Sequence, residues 1–174
     1  MTKAELRATM KAVRAAIEPG DTADRLARHA DRLPPGLIAA YRPIRNEIDP
    51  LPLALSRGET VALPVTEGPI MEFRAWRPGE PLTEGAFGIL EPTGPMVRPD
   101  VLLVPLLAFT RGGARLGYGA GHYDRYLSAH GGVPIGVAYA AQEVPSLPVE
   151  AHDVPLEAVA TEAEFIQCKE GACA

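Results

Sequence analysis

Cysteine is scarce in this sequence, and that scarcity removes several chemistries at once. Cys168 and Cys173 are the two in 174 residues, both in a polar C-terminal stretch. Two thiols with no neighbouring histidine cannot complete a structural zinc site. A disulfide across so short a tail would stabilise little, and cytosolic chains rarely use one. Both therefore read as free thiols of no functional weight. Basic charge is not in excess either: 17 Lys and Arg stand against 22 Asp and Glu, a net charge of −5. That balance argues against a dedicated nucleic-acid or membrane-surface binder. No apolar run is long enough to span a bilayer. The first residues, Met1-Thr2-Lys3-Ala4-Glu5-Leu6-Arg7, are charged where a secretion signal would be apolar, so the expected location is the cytoplasm. The phosphate loop of common ATPases is missing, and Ser128 and Ser146 sit in no nucleophile elbow.

What remains is a chain with 47% apolar residues, enough at this length for one domain with a core. The expected organisation is a single domain over 1–165 and a polar C-terminal tail over 166–174. The first helix is well signalled. Thr2 and Glu5 form a capping box, and Leu6, Met10, Val13 and Ile17 repeat at helical spacing as the buried stripe. Lys3, Arg7, Lys11 and Arg14 form a second stripe, centred roughly 85° round from the first at 100° per residue. Pattern alone reads it as a solvated charged flank, although long basic side chains there could reach a neighbouring cleft. Pro19-Gly20 ends the helix.

A second helix is predicted from Asp21 or Thr22 to Leu33, before Pro34-Pro35. Strands are predicted over 37–41, 60–63, 71–75, 101–104, 135–139 and 158–161, with a short helix over 50–56. Residues 76–99 are rich in Gly and Pro and read as loops. The 101–104 run is continuously apolar, the mark of a strand buried on both faces. Strands alternating with helices predict an α/β fold with a mostly parallel sheet covered on both sides.

The most informative stretch is Arg115-Leu116-Gly117-Tyr118-Gly119-Ala120-Gly121-His122-Tyr123-Asp124-Arg125. Alternating glycines permit positive φ and let a ligand lie against the main chain. Successive amides in such a turn can converge on an anion. A helix predicted over 123–130 would aim its positive end at the same point. The dinucleotide fingerprint is not matched, because the third glycine comes one place early and the segment lies late in the chain. The segment reads as a site for a phosphorylated ligand, most naturally ATP with magnesium. Asp124 and Asp153 are the candidate metal ligands, as hard oxygen donors. Each also has an ordinary reading, Asp124 as a first-turn helix acid and Asp153 as a loop acid after His152. Glu47 follows a strand and the Pro43 turn, a common place for ligand contacts. His122 could stack on a ligand or simply fill the helix start, and no partner makes it a general base.

Taken together, these residues resemble the 5-formyltetrahydrofolate cyclo-ligase (5,10-methenyltetrahydrofolate synthetase) family over nearly the whole chain. The resemblance runs through Lys3-x-x-x-Arg7 with Arg14, Tyr41, Glu47-Ile48, Leu63-Pro64, Met71-x-Phe73 and Phe87-Gly88-Ile89-x-Glu91-Pro92. It continues through Val104-Pro105, Phe109, the glycine segment up to Asp124, His152-Asp153 and Thr161-Glu162. The chain departs at Ala120, where the family often has glycine or lysine, at His122, where tyrosine is usual, and at Thr110, which replaces a common aspartate.

The resemblance implies a three-layer α/β/α fold. It implies ATP as co-substrate, Mg2+, and conversion of 5-formyltetrahydrofolate to 5,10-methenyltetrahydrofolate with release of ADP and phosphate. Carried across by motif, Lys3, Arg7 and Arg14 contact ATP, and Arg115, Leu116, Gly117, Tyr118, Gly119, Ala120, Gly121, His122 and Tyr123 cradle it. Glu47 and Phe87 contact the folate, together with the turn from Tyr118 to His122. Arg115, Tyr123 and Asp124 carry the chemistry, and Asp124 and Asp153 hold the metal. The expected substrate is 5-formyltetrahydrofolate with or without a polyglutamate tail, the expected state a monomer or weak homo-oligomer, with no nucleic-acid or membrane partner. Two rivals stand beside this reading. One is a sugar-phosphate isomerase or CoA-transferase-like enzyme on a related scaffold, needing no ATP. The other is a nucleotide- or folate-binding module that releases no ADP.

Overall fold

One long sheet decides where the glycine segment lies. The computed structural model describes residues 1–168. Its strands are β1 (Ile38–Ala39), β2 (Val61–Glu67), β3 (Ile70–Trp76), β4 (Leu82–Glu84), β5 (Leu90–Pro92) and β6 (Met96–Val97), followed by β7 (Val101–Pro105), β8 (Ala108–Phe109), β9 (Arg115–Leu116), β10 (Val133–Val137), β11 (Ala158–Ala160) and β12 (Phe165–Gln167). The helices are α1 (Lys3–Ala15), α2 (Thr22–Ala27), α3 (Leu51–Leu55) and α4 (His122–His130). Eight strands form the main sheet in the order β12-β11-β10-β7-β1-β2-β3-β6. The five central neighbours, β11 to β2, are parallel, while β12, β3 and β6 join antiparallel at the two sides. The fold is α/β, as the alternation of elements predicts.

Period-two alternation sends β7 into both layers. Val101 and Leu103 pack with Leu26 of α2 and Leu53 of α3 on one face. Leu102 and Val104 pack with Tyr126 and Leu127 of α4 on the other. Both faces are apolar because both are covered. The first helix lies elsewhere. Met10 of α1 packs on Leu107, Ala108 and Leu116, beyond the C-terminal end of β7 and along the β8–β9 ribbon. That seat brings the basic stripe of α1 beside the glycine segment. No helix among the described residues is long and apolar enough to cross a membrane.

Several elements depart from expectation. The second helix stops at Ala27, and a 3-10 turn over Ala30–Arg32 replaces its last part. Long-range partners hold that break: His29 Nε2 lies 2.8 Å from the Thr161 carbonyl, and Arg57 donates to the Ala30 and Leu33 carbonyls. The stretch over 76–99 is not simply loops. It contains the β4–β5 ribbon and the edge strand β6, which glycine and proline hide from pattern reading. Ile166 and Gln167, placed by sequence in the tail, lie in β12, while 169–174 fall outside the described residues, Cys173 among them.

Candidate active site

The glycine segment leaves β9 and turns into α4 through two left-handed residues. Gly119 has φ 106° and Gly121, the helix N-cap, has φ 71°. A side chain at either would be strained. At Gly121 an added Cβ would also sit 2.9 Å from an Arg125 guanidinium nitrogen. No side chain among the described residues caps α4, so its first amides keep the positive end of the helix open. Gly117, Gly119, Gly121, His122, Tyr123 and Asp124 all line one cleft of about 690 Å³. The turn is braced from behind. His122 Nε2 lies 2.8 Å from the Gly68 carbonyl, and Arg125 donates to the carbonyls of Pro69 and Ala120. The β2–β3 connection is thereby pinned to the glycine turn.

The basic stripe of α1 is not the solvated flank that pattern alone predicts. Lys3 and Arg7 line the cleft, and the Arg7 Nε–H donates to the Gly117 carbonyl at 3.0 Å. Lys11 is exposed. Arg14 is 2% exposed and does not line the cleft; its Nη1 donates to the Tyr118 hydroxyl. Where the resemblance implied an ATP contact, the Arg14 guanidinium lies against Tyr118 behind the cleft wall. The four residues differ because α1 presses its stripe against the β8–β9 ribbon and the glycine segment, not along a sheet face.

The acids fall into two groups. Asp124 accepts from the Arg115 guanidinium at 2.6 Å and from the Val154 N–H at 2.9 Å, both through Oδ1. This pair is largely shielded, with side chains 7% and 16% exposed. Asp153 receives Lys3 Nζ at 3.1 Å and the Glu150 N–H at 2.9 Å. Burial alone would raise the Asp153 carboxyl, but those two donors outweigh it and hold the group below its usual range. Glu150, His152 and Asp153 place ligand atoms within 4.8 Å of one another. Asp124 is not in that trio, though it lines the same cleft. The hard carboxylate oxygens suit magnesium, with phosphate and water completing the shell. Glu150 is the acid that sequence reasoning missed; the signal was its place three residues before Asp153.

The other half of the cleft is apolar. Tyr41, Ile44, Pro64, Met71 and Ile89 line it, with Glu47 as its acid and Arg42 at its margin. Glu47 stands on a turn in which Arg45 and Asn46 both have positive φ, 47° and 64°, strained positions that the surroundings must hold. The Tyr118 hydroxyl donates to Glu47 Oε1 at 2.7 Å. Burial pushes the Glu47 carboxyl up from its ordinary value, while Tyr118 and the Arg14 charge pull it back. Tyr123 is pushed up by burial and by the Glu47 charge, so its hydroxyl keeps its proton. Phe87 does not reach the cleft. It sits fully exposed, with φ 56°, at the turn of the β4–β5 ribbon. That turn points its ring outward, and Ile89, two residues on, lines the cleft instead. Ile44 and Arg42 carried no motif of their own, and Ile89 stood in a quoted motif but was given no role; the wall they form exists only in the folded cleft.

Comparison with known proteins agrees with this geometry. The 5-formyltetrahydrofolate cyclo-ligase family matches residues 1–162. A 5-formyltetrahydrofolate cyclo-ligase of Haemophilus influenzae is 41% identical over 93 residues, which is 48% of this chain and 50% of that protein. The Escherichia coli K12 protein of the same description is 36% identical over 140 residues, covering 71% of this chain and 76% of its own length. Among solved structures, the 5,10-methenyltetrahydrofolate synthetase of Aquifex aeolicus superposes with a TM-score of 0.84 at 32% identity, over 100% of this chain and 96% of that one. With Lys3 and arginines facing a glycine turn across one cleft, and a family match over almost all described residues, this chain belongs to the 5-formyltetrahydrofolate cyclo-ligase family.

Proposed function

We propose that this cleft binds ATP and 5-formyltetrahydrofolate side by side and closes the folate ring at the expense of ATP, giving 5,10-methenyltetrahydrofolate, ADP and phosphate. The chain is an ATP-dependent cyclo-ligase by family. One observation supports this reading of its site: a single cleft is lined both by the glycine turn with its cations and by apolar side chains around Glu47, with Tyr118 and Tyr123 in the same lining. The amides of the glycine turn, the open end of α4, Lys3, Arg7 and Arg115 fit the triphosphate. Glu47, among Tyr41, Ile44, Met71 and Ile89, fits a flat ring bearing N–H donors.

The formyl group on nitrogen 5 is an amide, whose oxygen leaves poorly. Transfer of the γ-phosphoryl to that oxygen makes it a leaving group. Nitrogen 10 then attacks the formyl carbon, loses its proton, and phosphate departs. Positioning and charge stabilisation suffice for such a step, which agrees with a cleft without a nucleophile–base pair. Arg115, held by Asp124, presents charge to the transferring group. Tyr123 keeps its proton and can donate to a developing oxyanion. Asp153 and Glu150, with Asp124 beside them, would hold Mg2+, which when bound supplies charge neutralisation on the phosphates. The protein works in the cytoplasm, as a monomer or weak homo-oligomer, on substrate with or without a polyglutamate tail.

The test is direct. Purified protein with ATP, magnesium and 5-formyltetrahydrofolate should form the methenyl product, followed by its absorbance, with one ADP released per turnover. Product formed without ATP, or ADP released without the folate, overturns the reading. Binding of both ligands with no product would leave a binding module instead.

A further inference from the structure

Arg14 is a buried cation with an odd set of neighbours. It is 2% exposed, its Nε has no hydrogen-bond partner, and it forms no ion pair among the described residues. A cation so placed is costly to keep without an acid beside it. The one side-chain hydrogen bond found for it runs from Nη1 to the Tyr118 hydroxyl oxygen, with the guanidinium carbon 5.5 Å from the Tyr118 ring centroid. A guanidinium has only donors to offer, and a phenol has a single proton. Once Arg14 occupies the phenol oxygen, the phenol proton is directed to its other neighbour, Glu47 Oε1, at 2.7 Å.

A second tie joins the same parts. Asn46, next to Glu47, donates through Nδ2 to the carbonyls of Arg14 at 2.7 Å and Ile17 at 2.8 Å. The end of α1 thus fixes both the backbone turn that carries Glu47 and the hydroxyl that faces it.

We infer that Arg14 is a positioning residue: by donating to Tyr118 it commits the Tyr118 proton to Glu47, and so presents Glu47 to the bound substrate as an ionised acceptor for ring N–H donors. This rests on the reading of Glu47 as the acid that receives the folate ring. The groups facing Glu47 are Tyr118 and Arg14, Arg45 of its own turn, Tyr41 beyond β1, Tyr123 of α4, and Tyr139 beyond β10. Of these, Arg14 and Arg45 are the cations, and Arg45 is exposed to solvent. Arg14 therefore acts where screening is least.

The test uses the intact protein with R14M, R14K and Y118F. Glu47 is titrated by carbon NMR in protein carrying side-chain-labelled glutamate, its signal assigned by its loss in E47Q. In R14M the Glu47 midpoint should rise by about one unit. The KM for 5-formyltetrahydrofolate at neutral pH should rise about tenfold and recover as pH increases, as expected for one lost charge-assisted contact. The ATP KM should stay within about twofold. R14K, which still offers only donors, should restore most of both. Y118F should repeat the R14M result without disturbing the packing of α1, and decides the matter if R14M does not fold. An unmoved Glu47 titration with unchanged folate KM in R14M or Y118F overturns the inference. So does a loss confined to the ATP KM, which would make Arg14 a phosphate ligand. Absence of turnover in the wild type would sink the functional reading, while the titration would still decide the role of Arg14.

Discussion

At the scale of single residues, the cleft holds its carboxylates by different means, and each means makes a different prediction. Glu47 has one side-chain proton donor, Tyr118, and an apolar surround. Replacing it by Gln exchanges an acceptor oxygen for a donor. E47Q should raise the folate KM by about tenfold, with ATP binding unchanged. Steady-state kinetics with each substrate varied in turn checks this, and equal loss for both substrates would remove Glu47 from the folate half. Asp124 is held by Arg115 and the Val154 N–H. D124N keeps an oxygen for those donors, so it should cost about 1–2 kcal/mol in stability. Magnesium-dependent turnover should nevertheless fall by about 100-fold, and ordinary activity in D124N would clear it of any metal role. Asp153 lies below its usual value of 3.8 because the Glu150 N–H and Lys3 outweigh its burial. A lowered folded-state value stabilises the fold above the unfolded value, and that stability is lost as pH falls through the folded one. Melting curves between roughly pH 5 and pH 2 should therefore fall less steeply in D153N than in the wild type. The residues legible in sequence were those whose motif is contiguous. Glu150 and Ile44 were not, because each joins the cleft through folding rather than through neighbours in the chain.

At the scale of elements, the glycine turn and α1 form one device, since the Arg7 side chain grips the turn it faces. The turn needs left-handed backbone at Gly121, so G121A should lose about 1–2 kcal/mol to strain. It should also weaken ATP-analogue binding measured by calorimetry, because the amides would no longer converge. Unchanged affinity in a folded G121A would mean that those amides do not touch phosphate. The capping box of α1 was fully readable, with Thr2 and Glu5 bonded reciprocally, since such a signal is local. The direction of its basic stripe was not. Helical spacing shows which side chains share a face but not what that face meets, and so the stripe was read as a solvated flank, whereas Lys3 and Arg7 line the cleft and Arg14 is buried. The same limit explains the shortened second helix, whose end is set by Thr161 and Arg57, far off in sequence. It also explains Phe87, which a motif placed at the folate and a ribbon turn places in solvent.

At the scale of the whole molecule, the alternation of apolar runs with helices was enough to predict an α/β sheet. The five parallel central strands follow from that pattern. The antiparallel flanks do not: β3 was legible as a strand but not in its direction, and the edge strands β6 and β12 carry too few residues to show alternation. A cleft that gathers cations on one side should gain stability when anions fill it. Mg-ATP at about 100 times its dissociation constant should add about 2.7 kcal/mol to unfolding free energy. The matching rise in melting temperature should shrink when EDTA removes the metal. An EDTA-insensitive rise would mean that the triphosphate binds without a divalent ion.

Lys3 meets Asp153 across 150 positions of chain. A polypeptide emerging from the ribosome thus carries Lys3 long before the acid that steadies it exists. Until residue 153 has been made, the cleft lacks the acid that steadies Lys3, and a chain stopped after β10 should be blind to nucleotide.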